Sequence, residues 1–197
     1  MKSVFTISPV EMLNDVIAMT YIKIDEERAK ESISLMKQLL QGEYINKDGE
    51  ERLQVSNNRY VKLNYASSGQ QEVVWILNVL FYYLLNGEST YFIIEEPESH
   101  LFPNSQKLVM EFIALVCNGN GNQLFLTTHS PYILGTINNL LYADKVSRNV
   151  DKSELNRIIS KNKWLNFDKV NAIFVQNGKI KSCLDEEFKS IENEVID

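Results

Sequence analysis

Ala66-Ser-Ser-Gly-Gln-Gln-Glu72 decides how this chain is read, together with Tyr91-Phe-Ile-Ile-Glu-Glu-Pro-Glu-Ser-His100 and Thr127-Thr-His-Ser-Pro131 downstream. In the first stretch a glycine-containing turn opens a long apolar helix. In the second an apolar strand runs straight into two carboxylates. In the third another apolar strand ends in Thr-Thr-His. Each stretch says little alone. Their order and spacing set ligand-bearing groups at the carboxyl ends of neighbouring strands, the layout of an α/β domain that hydrolyses nucleotides.

The surrounding pattern agrees with that layout. Gln70–Leu85 is apolar on nearly all sides and is expected to lie sandwiched between layers. Tyr91–Ile94 lacks polar alternation, as a parallel strand covered on both faces does. Pro103 and Asn104 begin a helix that carries Leu108, Val109, Phe112, Ile113 and Val116, and the polar run Asn118–Asn122 is a surface loop. Gln123–Thr128 is the next parallel strand. Ser130-Pro131 then supplies a capping hydroxyl and a first-turn proline to another helix. Strand, helix, strand, helix in this rhythm predicts an α/β fold with a mostly parallel, right-handed sheet and flanking helices.

Upstream, a short helix follows Ser8-Pro9, and Asp25 caps a second that runs to about Leu40 and stops at Gly42. Residues 1–42 are expected to be the helical stub of an arm or lid, with residues 43–197 as the domain proper. Between Glu43 and Tyr65, the turn signals Lys47-Asp-Gly49 and Asn57-Asn58 predict a small antiparallel meander that delivers the chain to Ser67. Downstream, Ser153–Ser160 is expected to be helical. Asn177-Gly178 predicts a hairpin between Ala172–Gln176 and Lys179–Cys183, and Asp185–Val195 is expected to close the chain as an acidic helix.

Bulk properties narrow the classes. The 197 residues, 44% of them hydrophobic, can bury a sizeable core in one domain. A net charge of −6 supplies no global basic field to attract nucleic acid, although a local basic groove is compatible with it. Cys117 and Cys183 show no metal or redox spacing and read as reduced thiols, which points to a cytoplasmic protein. The most apolar run, Val73–Leu85, is too short to span a bilayer and is broken by Asn78, so it reads as a buried helix.

Glu95 and Glu96 end their strand on opposite faces and so suit separate tasks. One can hold a hydrated Mg²⁺, and the other can orient or deprotonate a water that attacks phosphorus. An exposed acidic turn is the simpler alternative. Ser67-Ser68-Gly69-Gln70 reads as a helix cap, with Ser68 and Gln71 as its capping box. The same geometry binds phosphate, because helix-start N–H groups are free and glycine admits close approach. His129 is either a satisfied core histidine or a donor to a terminal phosphate, and His100 is expected to support its loop.

Taken as a set, these motifs resemble the C-terminal part of an ABC-type ATPase head of the SMC/RecF/OLD-like branch, often grouped with AAA-family ATPases. Ala66–Gln70 resembles the signature motif, Phe92–Glu96 the Walker B strand with its catalytic glutamate, Pro97–Leu101 the D-loop and Thr128–Ser130 the switch histidine. The resemblance implies ATP and Mg²⁺ as cofactors. Glu95 would stand at the metal position, Glu96 would polarise the attacking water and His129 would touch the γ-phosphate. Ser67, Ser68, Gly69 and Gln70 would reach the ATP of a second protomer in a head-to-tail dimer. It also implies work on DNA or in phage defence, with a DNA or nuclease partner and no membrane.

The chain departs from that pattern in three ways. Glu95 stands where the family usually has Asp, and Phe102 replaces the D-loop's usual final Asp. No Gly-rich P-loop with Gly-Lys-Ser/Thr occurs, so the expectation is a C-terminal piece of a longer ATPase, inactive alone, whose phosphate cradle lies in an N-terminal lobe. Two other readings compete. One is a non-catalytic interaction module derived from an ABC half. The other is a metallohydrolase using Glu95, Glu96, His100 and His129.

Overall fold

The computed structural model describes residues 7–19 and 24–192. Helix α1 (Pro9–Ala18) starts from a reciprocal capping box, in which the Ser8 hydroxyl accepts from the Glu11 N–H and the Glu11 carboxylate accepts from the Ser8 N–H. Helix α2 (Glu26–Leu40) is capped by Asp25, whose carboxylate accepts from the Arg28 N–H. This bond holds the Asp25 carboxyl below its ordinary value. Ala29, Leu35, Met36, Leu39 and Leu40 line the buried face of α2, in keeping with its helical spacing.

Strands β1 (Glu43–Lys47), β2 (Glu50–Ser56) and β3 (Arg59–Lys62) form the expected antiparallel meander in the order β1-β2-β3. Its first turn places Asp48 and Gly49 at positive φ, and a single 3-10 turn, Leu63–Tyr65, leads on to Ser67.

Helix α3 (Ser68–Asn86) ends in Gly87 at φ 71°. It is less enclosed than expected: Val73, Val74, Leu77, Leu80, Phe81, Leu84 and Leu85 are buried, whereas Trp75 is exposed. Helix α4 (Pro103–Cys117) is the axis of the molecule. Every residue from Val109 to Val116 is buried, and the helix packs on α2 and α3 and on α5 (Pro131–Val146). The completely buried Phe112 and Ile113 centre this core. Truncating a phenylalanine in such a place costs about 3–5 kcal/mol.

The parallel component is the pair β4 (Tyr91–Glu95) and β5 (Gln123–Thr127), in register from Tyr91↔Gln123 to Glu95↔Thr127. The α/β class holds. Among the described residues, however, the parallel sheet has only these two strands and the other ladders are antiparallel. The described residues cover only one of its two faces. Phe92 and Ile94 are buried, but Tyr91 and Ile93 are 58% and 66% exposed and Phe125 is 47% exposed. An apolar run with no polar alternation cannot tell a covered face from one left open.

Helix α6 (Lys152–Ile158) is capped by Asp151, and β6 (Ile173–Gln176) pairs with β7 (Lys179–Ser182) across Asn177-Gly178, both at positive φ. The acidic closing helix does not form over its described part. Instead β8 (Leu184–Asp185) pairs with β9 (Ser190–Ile191). The Asp185 carboxylate accepts from the Glu187 and Phe188 N–H groups, which makes a turn of what resembled an acidic helix start. Asn138 of α5 then exchanges two 2.8 Å hydrogen bonds with the Ile191 backbone, fixing the second strand. Residues 193–195 of the expected helix lie outside the described residues. No helix among the described residues is long and apolar enough to cross a membrane.

Candidate active site

The carboxyl ends of β4 and β5 and the start of α3 meet around one turn. Glu95 closes β4 opposite Thr127, on the same face of the strand as exposed Ile93. The Glu96 N–H continues the ladder by donating to the Thr127 carbonyl at 3.0 Å. Glu96 itself has φ 42° and His100 has φ 57°. Such left-handed geometry costs a residue other than glycine about 1–2 kcal/mol, and strain of this kind concentrates where a site dictates side-chain direction. Within the turn, the Ser99 N–H donates to the Glu96 carbonyl and the Leu101 N–H to the Glu98 carbonyl.

Glu96 and His129 are brought together. The His129 Nε2 lies 3.2 Å from the Glu96 Oε1, with the imidazole side chain 86% exposed and the carboxylate half-exposed. His129 is therefore no core histidine. A carboxylate and an imidazole, the residue types of general acid–base chemistry, thus stand in contact at the mouth of two parallel strands, both open to solvent.

The helix start is built one residue earlier than the sequence suggested. Ser67, not Ser68, is the N-cap. Its hydroxyl accepts from the Gln70 N–H at 3.3 Å, and the Gln70 Oε1 accepts from the Ser67 N–H at 3.1 Å. Ser67 is extended, which leaves Ser68 as the first helical residue, and Gln71 instead donates to the Ala66 carbonyl. Gln70 also donates to the Leu40 carbonyl at 2.8 Å, tying this start to the end of α2.

Gly69 packs the helix start onto the turn after β4. A methyl group at this position would lie 2.5 Å from the His100 carbonyl oxygen and 2.9 Å from the Leu101 Cδ2. Glycine is required here for closeness, not for an unusual φ. His100, as expected, supports the turn: its Nδ1 lies 3.0 Å from both carboxylate oxygens of Glu72 on α3.

Glu98 was missed by sequence reasoning. Its Oε1 accepts from the Thr128 hydroxyl at 2.6 Å and from the His129 N–H at 2.9 Å. The only sequence signal was a further carboxylate in a tight turn facing a Thr-Thr-His strand end. That cannot reveal a contact made across 30 residues.

Among the described residues, no group of three or more His, Cys, Asp or Glu side chains gathers to hold a metal ion. The four-residue metallohydrolase grouping therefore does not form, and His100 is turned to Glu72. Glu95 stands exposed at the end of β4, a single carboxylate of the type that Mg²⁺ takes together with waters and substrate phosphates.

The family model described as AAA ATPase domain matches residues 7–134, a span containing all three motif stretches. No curated protein matches the chain. One solved structure, from "Structural biochemistry of ATP-driven dimerization and DNA stimulated activation of SMC ATPases", is similar at 12% identity over 86% of this chain and 86% of that chain, with a TM-score of 0.48.

Proposed function

Because the chain belongs to the AAA ATPase domain family, we propose that it supplies half of an ATP-hydrolysing centre of the ABC/SMC type. The observation that carries this reading is the 3.2 Å pair of Glu96 and His129 at the ends of parallel strands, with Glu95 beside it. Glu96 accepts the proton of the attacking water, and His129 donates to the terminal phosphate. Glu95 anchors the Mg²⁺ that neutralises phosphate charge when ATP is bound. The start of α3, with Ser67, Ser68 and Gly69 held in place by Gln70, meets the γ-phosphate of ATP on a second copy, as helix-start N–H groups suit anions. Two ATP molecules are then sandwiched in a head-to-tail dimer.

The phosphate cradle belongs, in this reading, to a P-loop lobe that covers Tyr91, Ile93 and Phe125. Support comes from the open apolar face of β4 and β5, since parallel sheets are normally covered on both faces. Residues 1–42 are the base of an arm or lid, with α2 packed on α4. The dimer cycle acts on DNA or in phage defence, in the cytoplasm, with DNA or a nuclease as partner.

The test is Glu96→Gln in the gene-length protein. Loss of a general base lowers turnover by roughly 10²- to 10⁴-fold, and the account expects the variant to accumulate as an ATP-bound dimer on gel filtration. Unchanged turnover would favour a non-catalytic interaction module and sink the ATPase reading.

A further inference from the structure

Glu98 is tied to the segment that carries His129 by two hydrogen bonds accepted by one of its carboxylate oxygens. The Thr128 hydroxyl donates to the Glu98 Oε1 at 2.6 Å and the His129 N–H donates to the same atom at 2.9 Å. The Thr128 Oγ1 in turn accepts from the Ser130 N–H at 3.0 Å. One acceptor therefore fixes the backbone on both sides of His129, just before the helix α5 cap at Ser130. The Glu98 Oε2 is buried without a hydrogen-bond partner. Leaving a buried carboxylate oxygen unpaired is costly, so the arrangement holds the strand end at the expense of that atom.

His129 needs such a hold. Its imidazole is largely in solvent, so packing does not set its direction. Glu98 lies two residues after Glu96 in the turn whose ends are both at positive φ. The turn that presents the Glu96 carboxylate therefore also grips the backbone of its partner. We propose that Glu98 is a positioning residue: it fixes the Thr128–Ser130 backbone so that the His129 imidazole is held against Glu96. The structural claim stands on these bonds alone. Its consequence for turnover rests on the ATPase reading above.

The test therefore uses the 197-residue chain without nucleotide, so that its failure is distinct from failure of the ATPase reading. Only two histidines are present, which makes side-chain NMR of His100 and His129 interpretable. In the wild-type background, Glu96→Gln is expected to shift the His129 ring signals and leave those of His100, paired with Glu72, in place. In Glu98→Ala the same Glu96→Gln change is expected to shift His129 no longer, with His100 unmoved as the control for folding. Glu98→Gln keeps a carbonyl acceptor for both donors and is expected to restore the response. Should Glu98→Ala fail to fold, Thr128→Val removes the hydroxyl at nearly constant shape and is expected to weaken the response in the same way. A His129 signal that still follows Glu96 in Glu98→Ala, or follows it undiminished in Thr128→Val where that variant stands in, would overturn the proposal. So would a loss of response in Glu98→Gln.

Discussion

Gly69 shows how much one missing side chain can carry. The methyl of Gly69→Ala would meet backbone, the His100 carbonyl at 2.5 Å, and not only the flexible end of Leu101. The neighbours cannot yield cheaply, and overpacking of this kind costs typically 1–3 kcal/mol. The expected outcome is a loss of about that size in urea unfolding, with the His100 ring signals displaced because the turn is pushed from α3. Unchanged stability and unchanged signals would show that the contact is slack. At this scale the sequence was partly legible. Asp25, Ser130 and Asn177-Gly178 act where their local chemistry placed them. The cap at α3 slipped by one residue because Ser67/Gln70 and Ser68/Gln71 satisfy the same spacing, and only the extended backbone of Ser67 separates them. Glu98 had no local signature, since its partners lie on another strand.

Among the elements, α2 and α4 are clamped to the segment after α6 by a buried charge cluster. The Lys163 Nζ lies 2.7 Å from the Glu111 Oε2 on α4 and 3.6 Å from the Glu31 Oε1 on α2. The Glu31 Oε2 also accepts from the Ser160 hydroxyl and the Asn162 amide. Lys163→Met keeps the aliphatic stem but removes the nearest cation from two carboxylates with little solvent, leaving Glu111 only Lys107 at 3.7 Å and Glu31 only two neutral donors. Breaking a buried pair in this way costs about 3–5 kcal/mol, so a fall of that order in unfolding free energy at neutral pH is expected. A change below about 1 kcal/mol, the size of an exposed pair, would mean that water reaches the cluster. Nothing in the sequence around Lys163 announced this cluster. The closing segment misled for a related reason. Its acidic residues fit a helix start, but Asp185 turns back on its own backbone and Asn138, from α5, decides the strand.

For the molecule as a whole, the class and the meeting of the two strand ends were legible because both follow from order along the chain. An apolar strand that ends in carboxylates, followed by a helix and a strand that ends in Thr-Thr-His, can pair in parallel only with those ends side by side. What order could not reveal was how far the sheet extends. Tyr91, Ile93 and Phe125 stand open on a two-stranded sheet, and apolar character alone does not say whether cover comes from this chain or another. The half-site account turns on that point, because the Glu96–His129 pair sits on a sheet whose second face is left open by the described residues. Titration calorimetry of ATP with Mg²⁺, on the 197-residue chain beside the gene-length protein, tests it most directly. The account predicts no heat of binding for the chain alone and saturable binding for the gene-length protein. Tight ATP binding by the chain alone would contradict it and would place the phosphate cradle among residues assigned here to the core and its surface.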